Sequence, residues 1–105
     1  MFKTTTHLSK ILEDSETRSV IIFKYSSVCG SSERLAMELK EKMAKDKMKA
    51  HIYQVTVQTE PILSRKISEW FKIKHETPQI IILNKGRVTY TAHHGNIDLE
   101  KFVFN

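Results

Sequence analysis

Apolar residues along this chain fall now at helical, now at strand spacing, and the changes of period lay out its elements. Leu8, Ile11 and Leu12 repeat at helical intervals behind the cap candidates Thr4 to Thr6, which predicts a short helix ending near Ser15. Residues 19–25 contain the unbroken apolar run Val20-Ile21-Ile22-Phe23, the mark of a strand buried on both faces at the centre of a sheet. A second helix is predicted from about Ser31 to Lys47, with Leu35, Leu39 and Met43 as its core stripe. His51 to Val57 alternates through Tyr53, Val55 and Val57 and reads as a second strand. Pro61 suits the first turn of a third helix, in which Leu63, Ile67, Trp70 and Phe71 form the buried face, with Trp70 expected as a core anchor.

After Pro78 come Gln79-Ile80-Ile81-Ile82-Leu83, the turn Asn84-Lys85-Gly86-Arg87, and Val88 to Ala92, an antiparallel hairpin. Asn96 or Asp98 is positioned to cap a last helix through Leu99, Phe102 and Val103. The order α-β-α-β-α-β-β-α has no repeat, linker or low-complexity stretch. It predicts a single α/β domain over residues 1–105, with a four-stranded mixed sheet flanked by helices.

Composition adds exclusions. With 105 residues, 40% hydrophobic and 28% charged, the chain is of ordinary globular type. No stretch approaches the ~20 apolar residues of a membrane span. The first residues, Met1-Phe2-Lys3-Thr4-Thr5-Thr6-His7, lack the apolar core of a secretory signal, so a cytoplasmic protein without membrane association is expected. The net charge is +5; in the lysine-rich segment Glu38 to Lys47 acids are interleaved, and Glu38–Lys42 and Glu41–Lys45 have the favourable order of a solvated helix face. With no arginine-rich block or aromatic nucleic-acid motif, nucleic acid is not the expected partner.

The single cysteine, Cys29, rules out an internal disulfide. It falls where the first strand gives way to the second helix. Unpartnered N–H groups and aligned peptide dipoles at a helix start favour thiolate over thiol. The alternative, a small buried hydrophobe, sits poorly with the neighbours Ser26, Ser27, Gly30, Ser31 and Ser32, which suit an exposed turn. No metal site is expected. His93 and His94, adjacent in a strand, would point to opposite faces, and no zinc-ligand spacing occurs.

The cysteine loop and the pair Thr77-Pro78, just ahead of the hairpin, together resemble the thioredoxin fold. More narrowly, Phe23-Lys24-Tyr25-Ser26-Ser27-Val28-Cys29-Gly30-Ser31-Ser32 is similar to the Phe-Lys-His-Ser-x-x-Cys-Pro-x-Ser signature of the monothiol bacilliredoxins. Val57-Gln58, Ser64, Phe71, His75-Glu76-Thr77-Pro78-Gln79 and His94-Gly95-Asn96-Ile97 resemble further blocks of that family, in order along nearly the whole chain. Gly30, Tyr25, Thr77 and Asn96 depart from its proline, histidine, serine and aspartate.

The resemblance implies a cis Thr77-Pro78 bond facing the cysteine. It also implies monothiol exchange in which Cys29 takes bacillithiol from S-thiolated client proteins. Ser32, at the second-cysteine position of the dithiol motif, would hydrogen-bond the Cys29 thiolate or simply cap the helix. Gly30, Ser31, Thr77, Pro78 and His94 would contact substrate, and His75 would be a structural hydrogen-bonding residue. Bacillithiol would be a co-substrate, with no tightly bound cofactor; the oligomeric state is left open. Three other readings compete. They are a phosphatase-like or arsenate-reductase-like loop using Arg34, a cluster-binding monothiol glutaredoxin, and a non-catalytic thioredoxin-like adaptor.

Overall fold

The computed structural model describes residues 2–46 and 49–102; Lys47 and Val103, assigned above to helices, lie outside the described residues. The elements are α1 (Leu8–Ser15), β1 (Val20–Tyr25), α2 (Gly30–Asp46), β2 (His51–Thr56), α3 (Pro61–Phe71), β3 (Gln79–Asn84) and β4 (Arg87–His93). The strands form one sheet in the order β2-β1-β3-β4. β1 runs parallel to β2 and antiparallel to β3, and β3 pairs antiparallel with β4. A mixed sheet is therefore present as the sequence implied.

Alternation along β1 divides the core in two. Ile21 and Phe23 pack with Leu35, Ala36 and Leu39 of α2 on one face of the sheet. Val20 and Ile22 pack with Ile11 of α1 and with Leu63 and Ile67 of α3 on the other. Lys24 continues the second set and is fully buried.

The hairpin turn is made by Lys85 and Gly86, both at positive φ (52° and 74°), the conformation that two-residue hairpins need and that glycine adopts without strain. This turn is tied to the end of α1. Lys85 N donates to Ser15 O at 2.7 Å and Gly86 N to Ser15 Oγ at 2.9 Å, while the Ser15 hydroxyl donates to Leu12 O at 2.7 Å.

Several expectations are corrected. Helix α1 starts behind His7 without a side-chain cap, and Thr5 Oγ1 instead accepts from His7 N at 3.2 Å. Trp70 is 62% exposed. It lies about 100° round the helix from Phe71, beside Leu8 and Leu12 of α1 rather than beneath the sheet. Among the described residues the C-terminal α-helix is replaced by two 3-10 turns, His94–Asn96 and Leu99–Lys101. Asn96 ends the first turn. Asp98 does cap, accepting from Glu100 N at 3.0 Å, but the chain becomes extended at Phe102, whose buried ring packs 5.4 Å from that of Tyr90.

Ser15→Ala leaves the half-buried Gly86 N–H without its acceptor, and is expected to lower unfolding stability by about 1 kcal/mol. A denaturant titration with unchanged slope and a shifted midpoint checks this.

Candidate active site

Cys29 is the last residue of the four-residue loop between β1 and α2, and it is partly exposed. Its carbonyl accepts from the N–H groups of Ser32 (3.1 Å) and Glu33 (3.3 Å), which starts the helix, and its own N–H donates to Ser26 O at 3.2 Å. These bonds count against the phosphatase-like reading. Residues 30–34 are helical, so their N–H groups do not curl around an anion.

Hydrogen bonds from the Ser32 backbone and hydroxyl hold the Cys29 thiol below its ordinary value of 9.0, with weaker support from Ser31, against a small opposing effect of burial. Lys24 adds no hydrogen bond to the thiol, because its ammonium is bound to Ser64 and Ser68 of α3. Ser32 is fully buried, and its Oγ also accepts from Ser26 N at 3.2 Å. The serine thus supports the thiolate and closes the loop; it does not serve as an N-terminal cap.

Ser26 is the centre of that loop. Its Oγ accepts from Gln58 Nε2 at 2.8 Å, while Gln58 Oε1 accepts from Ser27 N at 3.0 Å. Gln58, known from the sequence only as part of a motif block, therefore clamps the cysteine loop from beyond β2. Val28, next to the thiol, is 85% exposed. Gly30 has open space where a Cβ would stand, so a proline at this first helical position would fit, and what glycine adds is backbone freedom.

Thr77-Pro78 is cis. Pro78 and His94 share a pocket of about 250 Å³ with Ser31, Arg34, Leu35, Glu38, Gly95 and Ile97, which brings the proline loop to the start of α2. His94 has left the strand conformation (φ 52°), so the two histidines do not point to opposite faces; their rings meet edge to face at 5.3 Å. His94 Nε2 donates to Thr77 O at 2.8 Å, and His94 N donates to Pro78 O at 3.0 Å. The Thr77 carbonyl is thereby engaged, and its N–H makes no bond among the described residues. Among those residues, no group of three or more His, Cys, Asp or Glu side chains is placed to hold a metal, and no helix is long and apolar enough to cross a membrane.

Behind the proline loop, the Lys24 ammonium meets three acceptors: Ser64 O (2.9 Å), Ser68 Oγ (2.6 Å) and His75 Nδ1 (3.1 Å). Three donors and three acceptors match, which puts the proton of a neutral His75 on Nε2. Burial pushes Lys24 down to about 8. Burial and then the Lys24 charge hold His75 below 6.5, with partial relief from Glu76. His75 is structural, as expected, but its partner is a buried lysine that local sequence does not reveal.

Residues 1–102 match the family described as monothiol bacilliredoxin BrxC. Among solved structures, the chain is similar to a candidate oxidoreductase with a thioredoxin fold, with TM-score 0.80 and 23% identity over 92% of this chain and 86% of the other. It is also similar to oxidised thioredoxin from Plasmodium falciparum, with TM-score 0.70 and 20% identity over 91% and 88% of the two chains. Fasciola hepatica thioredoxin gives TM-score 0.68 and 14% identity over 86% and 81%. At these identities the likeness is one of fold, and the fold is thioredoxin-like.

Two measurements check the site. Ser32→Ala is expected to raise the Cys29 midpoint in a thiolate-absorbance titration, because the leading stabilising donor set is weakened. For Lys24 and His75 the unfolded chain binds more protons than the folded one wherever pH lies between the folded and unfolded values, so stability rises with pH there. For Lys24 that window runs from about 8 to 10.5, and for His75 it lies below 6.5. Lys24→Met should flatten the stability profile in the first window, and His75→Asn in the second, both read from denaturant midpoints across pH.

Proposed function

Given that this chain belongs to the monothiol bacilliredoxin family, we propose that it is a thiol-disulfide oxidoreductase that removes bacillithiol from S-thiolated client proteins through Cys29. The family and the fold support a thiol redox role. The observation that carries the reading is the placement of a lone, partly exposed thiol at the head of α2, hydrogen-bonded by Ser32.

Cys29 thiolate attacks the sulfur of bacillithiol in the client mixed disulfide. The S–S bond between bacillithiol and the client breaks, the client leaves as thiolate with its own sulfur and takes a proton from water, and a new disulfide joins Cys29 to bacillithiol. A second low-molecular-weight thiol then attacks this adduct, regenerating Cys29 and leaving as a small disulfide. The Ser32 hydroxyl steadies Cys29 as thiolate both as attacking and as leaving group, and it has no sulfur with which to close an internal disulfide.

The cis-proline loop supplies the edge against which an extended client segment lies. The free N–H of Thr77 offers it a donor, and His94 fixes the carbonyl of the same residue. Gly30 and Ser31 follow the thiol in the chain, Pro78 shares a pocket with Ser31, and exposed Val28 gives the client an apolar contact.

The reading is tested by intact-mass analysis after incubation with bacillithiol disulfide and, separately, glutathione disulfide. A Cys29 adduct with preference for bacillithiol is expected; absence of any adduct favours the adaptor reading. Cys29→Ser should abolish release of client thiol. Ser32→Ala should retain turnover with its pH dependence moved to the alkaline side. Ser32→Cys creates a second thiol that should expel bacillithiol from Cys29 and leave an internal disulfide, converting monothiol into dithiol behaviour. Failure of that disulfide to close would contradict the proposed motif geometry.

A further inference from the structure

The pocket between α2 and the His94 turn is not used by the exchange chemistry above, yet it opens beside it. Its walls are Pro78 and His94, which belong to the proline loop, and Ser31 and Arg34, which follow Cys29 on α2. Its volume, about 250 Å³, is below the usual size of a pocket that encloses a whole small-molecule ligand. One arm of such a molecule fills it. Arg34 is exposed and, like Glu38 one turn further on, has no ion-pair partner among the described residues. The backbone of Arg34 stands five residues, about 7.5 Å of helical rise, beyond that of Cys29, a span that a thiol of tripeptide size joined through its sulfur to Cys29 can cover.

We propose that Arg34 seats a carboxylate of the low-molecular-weight thiol in this pocket, and so makes the protein selective for acidic thiols. The guanidinium presents a planar fork of donors that matches a carboxylate. Ser31 and the backbone of Gly95 border the arm's path from the sulfur, and Glu38 closes the far end to negative charge. The carboxylate therefore stops at Arg34. The inference rests on the exchange reading and specifies its substrate class.

The test compares acid and ester forms of one thiol on one reporter, so that acidic groups of the client cancel. A reporter protein is S-thiolated with glutathione or with its dialkyl ester, and reduction of each is followed with wild type, Arg34→Gln, Glu38→Gln and Lys45→Gln. Lys45→Gln removes the same charge as Arg34→Gln three turns along α2 and controls for net charge. The wild type should reduce the acid form faster than the ester by roughly fivefold, the scale of one exposed charge pair. Arg34→Gln should bring that ratio to about one with the ester rate unchanged, Lys45→Gln should leave the ratio alone, and Glu38→Gln should raise it.

Equal loss on both substrates in Arg34→Gln, a wild-type ratio of one, or the same loss of ratio in Lys45→Gln would overturn the proposal. The rate of Cys29 adduct formation with glutathione disulfide and with its ester, read by mass, separates this from failure of the exchange reading. An acid preference lost in Arg34→Gln upholds the pocket even where no client is reduced, and no adduct with either disulfide removes both.

Discussion

Strand β1 is hydrogen-bonded along both edges and packed on both faces, and the rest of the molecule is arranged around that confinement. Val20 to Phe23 meet it with apolar side chains. Polar chemistry begins only at the strand's carboxyl end, where Lys24, still paired on both edges, and Cys29 lie within a few residues of each other. The alternation of a strand then sorts them. Phe23 faces α2, the helix that Cys29 leads into, while Lys24 faces α3 and finds its acceptors on that helix and on His75 just beyond it. Lys24 links α3 to the segment leading into Thr77-Pro78, and Gln58 links the end of β2 to the cysteine loop. The two walls of the site are thus each tied to a different part of the same sheet.

Departures from the family signature find different accommodation. Tyr25, where the signature has histidine, is half-buried and packs edge to face on Phe23 at 5.8 Å, so the position contributes to the core. Gly30 occupies a place with room for proline. The thiol's acidity depends on Ser32 and Ser31, and neither is altered by the glycine. Thr77 in place of serine keeps the backbone groups that the loop offers.

Periodic signals were legible in the sequence because they report burial directly. The run Val20 to Phe23, the stripe Leu35-Leu39 and the Lys85-Gly86 turn all appear where their patterns put them. Cys29 was legible because a lone cysteine between a strand and a helix is locally distinctive. Trp70 was misjudged because a one-residue rotation separates the buried face of α3 from its flank, a margin finer than spacing alone can resolve. The C-terminal turns were misjudged because the demand of Phe102 for a place against Tyr90 is tertiary. The Lys24 cluster left no local trace, because its three acceptors lie 40 to 51 residues from the lysine.

One feature near the amino terminus bears on how the protein behaves in a crowded solution. Lys3 lies alongside β2 as a single bridge, donating its N–H to Ile52 O at 2.7 Å and accepting from Gln54 N at 2.9 Å. It occupies the middle of one sheet edge, and its side chain brings a charge there, the usual means by which an edge is made a poor template for a neighbouring strand. The other edge, β4, carries no such cover from the amino terminus. Polymerisation by strand addition needs two usable edges per molecule. With one of them blocked, edge-to-edge contact between copies can join a pair but cannot propagate into a fibre.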